Sequence, residues 1–248
     1  MSNNLSMDSV IEVQNAWVVY RDFESSSKSI KTNLLSRRIE ISESKSAIKN
    51  LSLHIKHGEI VGLIGRNGAG KSTFAKLLMG IVHPNRGKVI VKGSIAGLMS
   101  LGAGLNLDWS ARENLKFIHL LKMQKEENLN GIVRDVIEWS GLSTAIDKPL
   151  RTFSSGMLAR FAFAVETAYK PDILVIDEVL SVGDFEFQKK SGIRMAELIK
   201  SGITVIFVSH DMKSIEDFCT KCLWIDNGEV KMEGKPKEVI QRYLKSGV

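Results

Sequence analysis

Only two cysteines occur in 248 residues, so a disulfide framework is excluded and a hydrophobic core must hold the fold. The pair stands as Cys219-Thr220-Lys221-Cys222, a spacing open to redox chemistry or to half of a zinc site. No second cysteine pair or histidine cluster completes a ligand set, and the expected reading is two buried structural thiols in a reducing compartment. Long apolar runs are also missing. The longest, 203–208 and 173–176, are strand-sized, far below the roughly 18 residues a membrane-spanning helix needs. The opening Met1-Ser2-Asn3-Asn4-Leu5-Ser6 has no basic region followed by an apolar run, so no secretory leader is expected and the chain is placed in the cytoplasm. An acidic surplus is lacking as well: 34 Lys and Arg against 28 Asp and Glu give +6 and a pI near 9.2. That balance favours anionic partners, whether nucleic acid, phosphate-bearing ligands or an acidic membrane surface, without choosing among them.

What is present is ample apolar material, 44% of the chain, enough for one large domain with sub-lobes. Weak alternation over 11–20 predicts a first strand, with others at 47–55 and 59–64. The stretch 24–46 interrupts them; it is rich in serine, with Lys28, Lys31, Arg37 and Arg38 close together and Ile30, Leu34 and Leu35 at helical spacing. It reads as a solvated surface insert, with a membrane-surface anchor as the alternative. A helix is expected over 71–79, ended by the turn cluster His83-Pro84-Asn85-Arg86-Gly87, then short strands at 88–91 and 94–98. Helical periodicity dominates 112–169. The runs 173–176 and 204–208 are apolar at almost every position and are separated by a helical stretch at 187–200, the pattern of a parallel sheet covered on both faces by crossover helices. A last helix is expected over 236–245.

Gly65-Arg66-Asn67-Gly68-Ala69-Gly70-Lys71-Ser72-Thr73 follows an apolar strand and opens a helix, as a G-x-x-x-x-G-K-[ST] phosphate loop should. Glycine lets backbone N–H groups curl around phosphates without Cβ clashes, and the helix N-terminus adds the positive end of its dipole. Lys71 is expected to reach the β- and γ-phosphates, and Ser72 to bind Mg²⁺ through its hydroxyl. The apolar 173–176 ends in Asp177-Glu178; Asp177 is placed in the Mg²⁺ shell and Glu178 as the group that polarises the attacking water. The alternative is an acidic pair capping the next helix. Phe153-Ser154-Ser155-Gly156-Met157, just before a helical segment at 158–169, offers a hydroxyl and free N–H groups to an anion.

In this order the motifs resemble the ABC transporter ATPase family, whose Leu-Ser-Gly-Gly-Gln signature is matched by Ser154 and Gly156. Ser181-Val182-Gly183-Asp184 is similar to that family's D-loop, and Val208-Ser209-His210-Asp211 to its switch-histidine strand end. The resemblance implies that Ser154, Ser155, Gly156 and Asp184 serve a nucleotide shared between two copies of the chain, with Glu178 and His210 catalytic. It also assigns an aromatic ring to the adenine: Tyr20, or else Phe23. Gly65 to Gly70, Leu101-Gly102-Ala103-Gly104, Arg112-Glu113-Asn114 and the 177–184 segment resemble the branch that exports polysaccharides, O-antigens or teichoic acids. Two departures stand out. Ser100 and Leu101 occupy the region where the family places a Gln that touches Mg²⁺, and Met157 replaces the signature Gln.

The expected fold is an α/β P-loop NTPase with a RecA-like core, a small antiparallel β lobe and an ABC-type helical lobe near 111–170, all in one nucleotide-binding domain over 1–248. The resemblance implies ATP and Mg²⁺ as cofactors, a homodimer, integral-membrane permease subunits as partners, and a peripheral place on the cytoplasmic face of the inner membrane. No nucleic acid partner is expected, and no direct glycan binding, since some relatives of that branch carry a C-terminal carbohydrate-binding domain for which the sequence leaves no room. The alternatives are the ATPase of a different exporter, a soluble ABC ATPase acting on nucleic acid, which would need a coiled-coil, zinc or second ATPase insertion, and a P-loop phosphotransferase, which would not need the signature.

Overall fold

A computed structural model describes residues 8–21, 44–98, 102–122, 125–177 and 185–247. Phe23, Ser100, Leu101, Glu178 and Ser181 to Asp184 lie outside the described residues, as does the 24–46 insert except for its last three positions. The chain divides into two compact units, Met1–Lys92 with Phe207–Val248, and Gly93–Ile206.

In the first unit, β1 (Ser9–Arg21) lies between β2 (Ser44–Lys56) and β4 (Arg86–Val91) in an antiparallel sheet of order β2-β1-β4. Alternation decides which face is covered: Ile11, Val13, Ile55 and Leu53 are all buried, and Ile11 faces Ile55 while Val13 faces Leu53. Asn15, at φ 47°, sits where the register slips between Val13 and Ala16, so burial resumes at Ala16 and Val18 beyond the irregularity. β3 (Ile60–Ile64) pairs in parallel with β8 (Lys221–Asp226), which pairs antiparallel with β9 (Glu229–Gly234). Among the described residues the unit also holds the helices α1 (Lys71–Leu78), α6 (Met212–Phe218) and α7 (Pro236–Lys245). Ile64, Ile215, Cys222, Val239, Ile240 and Tyr243 share one buried cluster. Cys222 belongs to this core, but Cys219 is only half-buried against it, a correction to the expectation of two buried thiols. It caps the end of α6, its N–H donating to the Ile215 carbonyl at 3.1 Å, between the exposed Phe218 and Thr220.

The second unit carries β5 (Ile95–Gly97), parallel to β6 (Ile173–Asp177), with β7 (Thr204–Val208) next in order; the division between units falls within β7. Ile173 to Ile176 are all buried, which accounts for a run with no polar alternation. Its helices are α2 (Ala111–Leu121), α3 (Leu129–Ser140), α4 (Ser155–Ala168) and α5 (Phe185–Lys200). α2 starts with a capping box: Glu113 N–H donates to the Ser110 hydroxyl at 3.2 Å and Ser110 N–H donates to the Glu113 carboxylate at 2.8 Å. One turn on, Asn114 is 1% exposed. Its Oδ1 accepts from Asn106 N–H at 2.8 Å, and its Nδ2 donates to the carbonyls of Asn106 at 2.9 Å, Ser110 at 3.0 Å and Trp109 at 3.4 Å. Trp139 of α3 stacks on Phe163 of α4 at 4.8 Å, and Phe187 of α5 meets both rings edge-on. Arg194 adds a two-pronged ion pair to Asp135 and donates to the Thr167 hydroxyl at 3.0 Å, joining the same three helices.

Candidate functional site

β3 is buried from Val61 to Ile64, so the chain leaves the sheet at Gly65 with its direction set by the core. A Cβ on Gly65 would lie 2.1 Å from the Ile225 carbonyl oxygen, and one on Gly70 would lie 2.5 Å from the Ala47 carbonyl oxygen. Both residues also hold positive φ, 147° and 109°. Glycine is therefore required at each by backbone packing, independently of any ligand. Between them Arg66, Asn67 and Gly68 are exposed, while Ala69 is buried.

Lys71 is 6% exposed, and its ammonium donates to the carbonyl oxygens of Gly65 at 2.6 Å and Arg66 at 3.0 Å. The Arg66 carbonyl also accepts from Ala69 N–H at 3.1 Å, the Ala69 carbonyl from Gly228 N–H at 2.9 Å, and the Gly70 carbonyl from Phe74 N–H at 2.8 Å. The loop's carbonyls are thus engaged, by its own Lys71 and Ala69, by α1 and by Gly228. In a trans peptide the N–H points opposite to the C=O, so tying these oxygens also fixes the direction of the amides that follow them. At the same place Gly70 is the N-cap of α1 and brings no capping side chain, and the first turn of the helix holds no acidic residue. First-turn amides have no intrahelical acceptor, so the loop presents fixed donors, a buried cation and a helix dipole end, a set that fits a polyphosphate. Ser72 is exposed beside them and Thr73 half-buried.

Also in the first unit, His210 follows β7 and is exposed. Next to it Asp211 caps α6: its carboxylate accepts from the Ser214 hydroxyl and from Lys213 N–H at 3.1 Å, which hold that carboxyl below its ordinary range. Tyr20, near the end of β1, keeps 43% of its surface exposed, an open ring rather than a packed one.

The second unit places Asp177, half-buried, as the last residue of β6. Ser154 is the N-cap of α4, and its hydroxyl accepts from Met157 N–H at 3.2 Å. Its own O–H proton remains available to donate to an anion. α4 starts at Ser155, three residues before the sequence expectation, so Ser155 and Gly156 form its first turn. Among the described residues a Cβ on Gly156 would meet nothing within 4 Å, and no contact with them accounts for a glycine there.

The sequence reading passed over Gly228. Asn227 and Gly228 have φ of 49° and 82°, the left-handed pair of a tight hairpin between β8 and β9. The Asn-Gly dipeptide is itself a hairpin signal, and it was the sign available. Its contact with the phosphate loop, over 150 residues distant in the chain, had none.

Comparison with known proteins points the same way. The family model described as ABC transporter matches residues 48–181. The O-antigen export system ATP-binding protein RfbB of Myxococcus xanthus is 42% identical over 198 residues, 80% of this chain and 45% of that protein. The teichoic acids export ATP-binding protein TagH of Bacillus cereus is 38% identical over 237 residues, 96% of this chain and 43% of that protein. The chain thus spans less than half the length of these two relatives. An RfbB of Klebsiella pneumoniae is 40% identical over 197 residues and covered over 80% of its length. Among solved structures, an ATP-binding subunit of an ABC transporter superposes with a TM-score of 0.74 at 19% identity, covering 95% of this chain and 93% of that one. The ATP-binding cassette MJ0796, dimeric and bound to ADP and Pi, gives 0.71 at 22% identity, covering 91% and 98%. These likenesses establish the fold: an α/β P-loop NTPase core with a small antiparallel β lobe and a helical lobe.

Proposed function

The chain belongs to the ABC transporter family, and from that membership we propose that it is the ATP-binding and ATP-hydrolysing motor of a system exporting a lipid-linked polysaccharide of O-antigen, capsule or teichoic acid type. The nucleotide part of this reading is carried by the 65–73 loop, whose carbonyls are engaged and which sets the buried Lys71 ammonium beside the first-turn amides of α1, donors suited to an anion. The choice of polymer is supported by the names of the relatives, two O-antigen exporters and a teichoic acid exporter.

In this reading Gly65 to Thr73 hold the triphosphate, and Tyr20 stacks on the adenine. Ser72 and Asp177 hold Mg²⁺, which supplies positive charge at the transferring phosphoryl group. Glu178 orients and polarises the attacking water, and His210 contacts the γ-phosphate. Ser154, Ser155 and Gly156 act on the ATP of a second copy of the chain, with Asp184 lining the junction. The open surroundings of Gly156 and the remaining proton of the Ser154 hydroxyl support this assignment, since both are suited to a surface that something else approaches. Closure of the homodimer on ATP drives a membrane-embedded permease, and hydrolysis resets it. Among the described residues no helix is long and apolar enough to cross a membrane, so the chain is assigned a peripheral place on the cytoplasmic face, beside its permease. The 1–248 segment acts as a single nucleotide-binding domain.

The test is the location of the polymer. Deleting the chain in its native host leaves lipid-linked polymer accumulating inside while synthesis continues, read by a glycan-specific probe on intact against permeabilised cells. A Glu178→Gln copy fails to restore surface display. Normal surface polymer in the deletion strain, with no second motor present, ends the polysaccharide assignment and leaves the ATPase reading standing.

A further inference from the structure

From its contacts we infer that Gly228 is a positioning residue for nucleotide binding: it holds the Ala69–Gly70 peptide so that the Gly70 N–H is presented to phosphate. The inference rests on the nucleotide-site reading above.

The turn is wedged between two backbones of the same unit. On one side Gly228 N–H donates to the Ala69 carbonyl at 2.9 Å; on the other the Gly228 carbonyl accepts from Lys49 N–H of β2 at 2.8 Å. There is no room for a larger residue. A Cβ on Gly228 would lie 2.7 Å from the Ala47 carbonyl oxygen, 3.0 Å from the Ala47 carbonyl carbon and 3.1 Å from Ile48 Cα, all backbone atoms that cannot swing aside. Gly70 meets the same wall from the loop side, where its absent Cβ would lie 2.5 Å from Ala47 O and 3.5 Å from Gly228 Cα. Gly65 is locked to the strand that leads into the turn, its absent Cβ falling 2.1 Å from Ile225 O. Two glycines of the loop and one from a turn far along the chain thus interlock β2, the β8–β9 hairpin and the phosphate loop.

The consequence follows from peptide geometry. With the Ala69 carbonyl fixed toward the turn, the Gly70 N–H on the same peptide points away from it. Glycine at position 70, with φ 109°, has little intrinsic preference to keep that plane in place. The hydrogen bond from Gly228 supplies the orientation. It also couples the two ends electronically: an anion accepting from the Gly70 N–H polarises the shared peptide and strengthens the bond that Gly228 donates to the Ala69 oxygen.

Two measurements on the full chain test this. Gly228→Ala is expected to weaken ATP binding about tenfold or more, the scale of one charge-assisted hydrogen bond. Asn227→Gly, which keeps the left-handed turn, retains wild-type affinity. Unchanged affinity in Gly228→Ala, or an equal loss in Asn227→Gly, overturns the inference. The second measurement needs no variant and stands if Gly228→Ala fails to fold. In wild-type protein labelled with ¹⁵N-glycine, saturating Mg-ADP moves the Gly228 amide proton downfield together with Gly70. A Gly228 resonance that stays still while Gly70 moves refutes the coupling. If wild-type protein binds no nucleotide and none of the loop glycines shift, the nucleotide site itself is lost, a result separate from either outcome for Gly228.

Discussion

Replacing Gly156 with alanine should make the isolated chain more stable and the motor worse. Gly156 lies in the first turn of α4, and among the described residues its surroundings are empty to 4 Å from an added Cβ. Glycine to alanine in a helix, where the new side chain fits, stabilises by roughly 0.4–1 kcal/mol through helix propensity and a less disordered unfolded chain. For a chain of 248 residues that raises the Tm by about 1–4 °C. The same methyl stands about 1.5 Å off the Cα, on the face assigned to the partner's ATP. A displacement near 1 Å of groups aligned for reaction costs on the order of a hundredfold in rate. The expected result is thus a higher melting temperature without nucleotide, unchanged ATP affinity at low protein concentration, and turnover reduced about a hundredfold. Calorimetry, a filter-binding isotherm and phosphate release read the three quantities. Wild-type turnover in a stabilised Gly156→Ala protein would mean that nothing closes on this face, and the two-copy site would have to be abandoned. A lowered melting temperature would instead reveal a contact within the chain.

Glu178→Gln should keep ATP binding while turnover falls by orders of magnitude, because the loop's charges survive and water activation does not; near-normal phosphate release removes Glu178 from that role. Tyr20→Ala should weaken ATP binding by roughly one to two decades, taking a stacked base as worth about 1–3 kcal/mol, with Tyr20→Phe mild; unchanged affinity in the alanine variant moves the assignment to Phe23. Burial pushes the Cys219 and Cys222 thiols up to about 12. At pH 8.5 iodoacetamide should therefore label the native chain about a thousandfold more slowly than the unfolded one, given an ordinary thiol pKa near 8.5. By the same linkage the unfolded chain loses those protons first, so stability falls as pH climbs from about 8.5 toward the folded values. Rapid native labelling would contradict the burial.

The parts of the site that could be read from the sequence are those whose chemistry is local. Gly65 to Thr73 and Ser154 to Gly156 are defined by spacing along the chain, and the all-buried β6 announces itself as an apolar run ending in Asp177. α4 begins at Ser155 because the Ser154 cap, rather than the first apolar residue, sets a helix start; Ser155 and Gly156 look like loop until the cap is seen. α6, β8 and β9 went unrecognised as well. β8 does hold an unbroken apolar run, Cys222 to Ile225, followed by the Asn227-Gly228 signal and the alternation of β9, so this hairpin was legible, whereas α6, at seven residues, is too short to show a helical period. The close approaches of Gly65 to Ile225 and of Gly228 to Ala69 join points so distant in the chain that no local pattern encodes them.

Asn114 has a mechanical meaning beyond its place in the core. Its amide grips the backbone at Asn106, Trp109 and Ser110 at once, and the Trp109 ring meets Phe117 edge-on at 5.4 Å. The strand-to-helix segment 106–110 and the first half of α2 are therefore one stiff lever with no joint between them. Asn114→Ala would remove the four side-chain hydrogen bonds that tie this segment to the helix and leave the two to move separately.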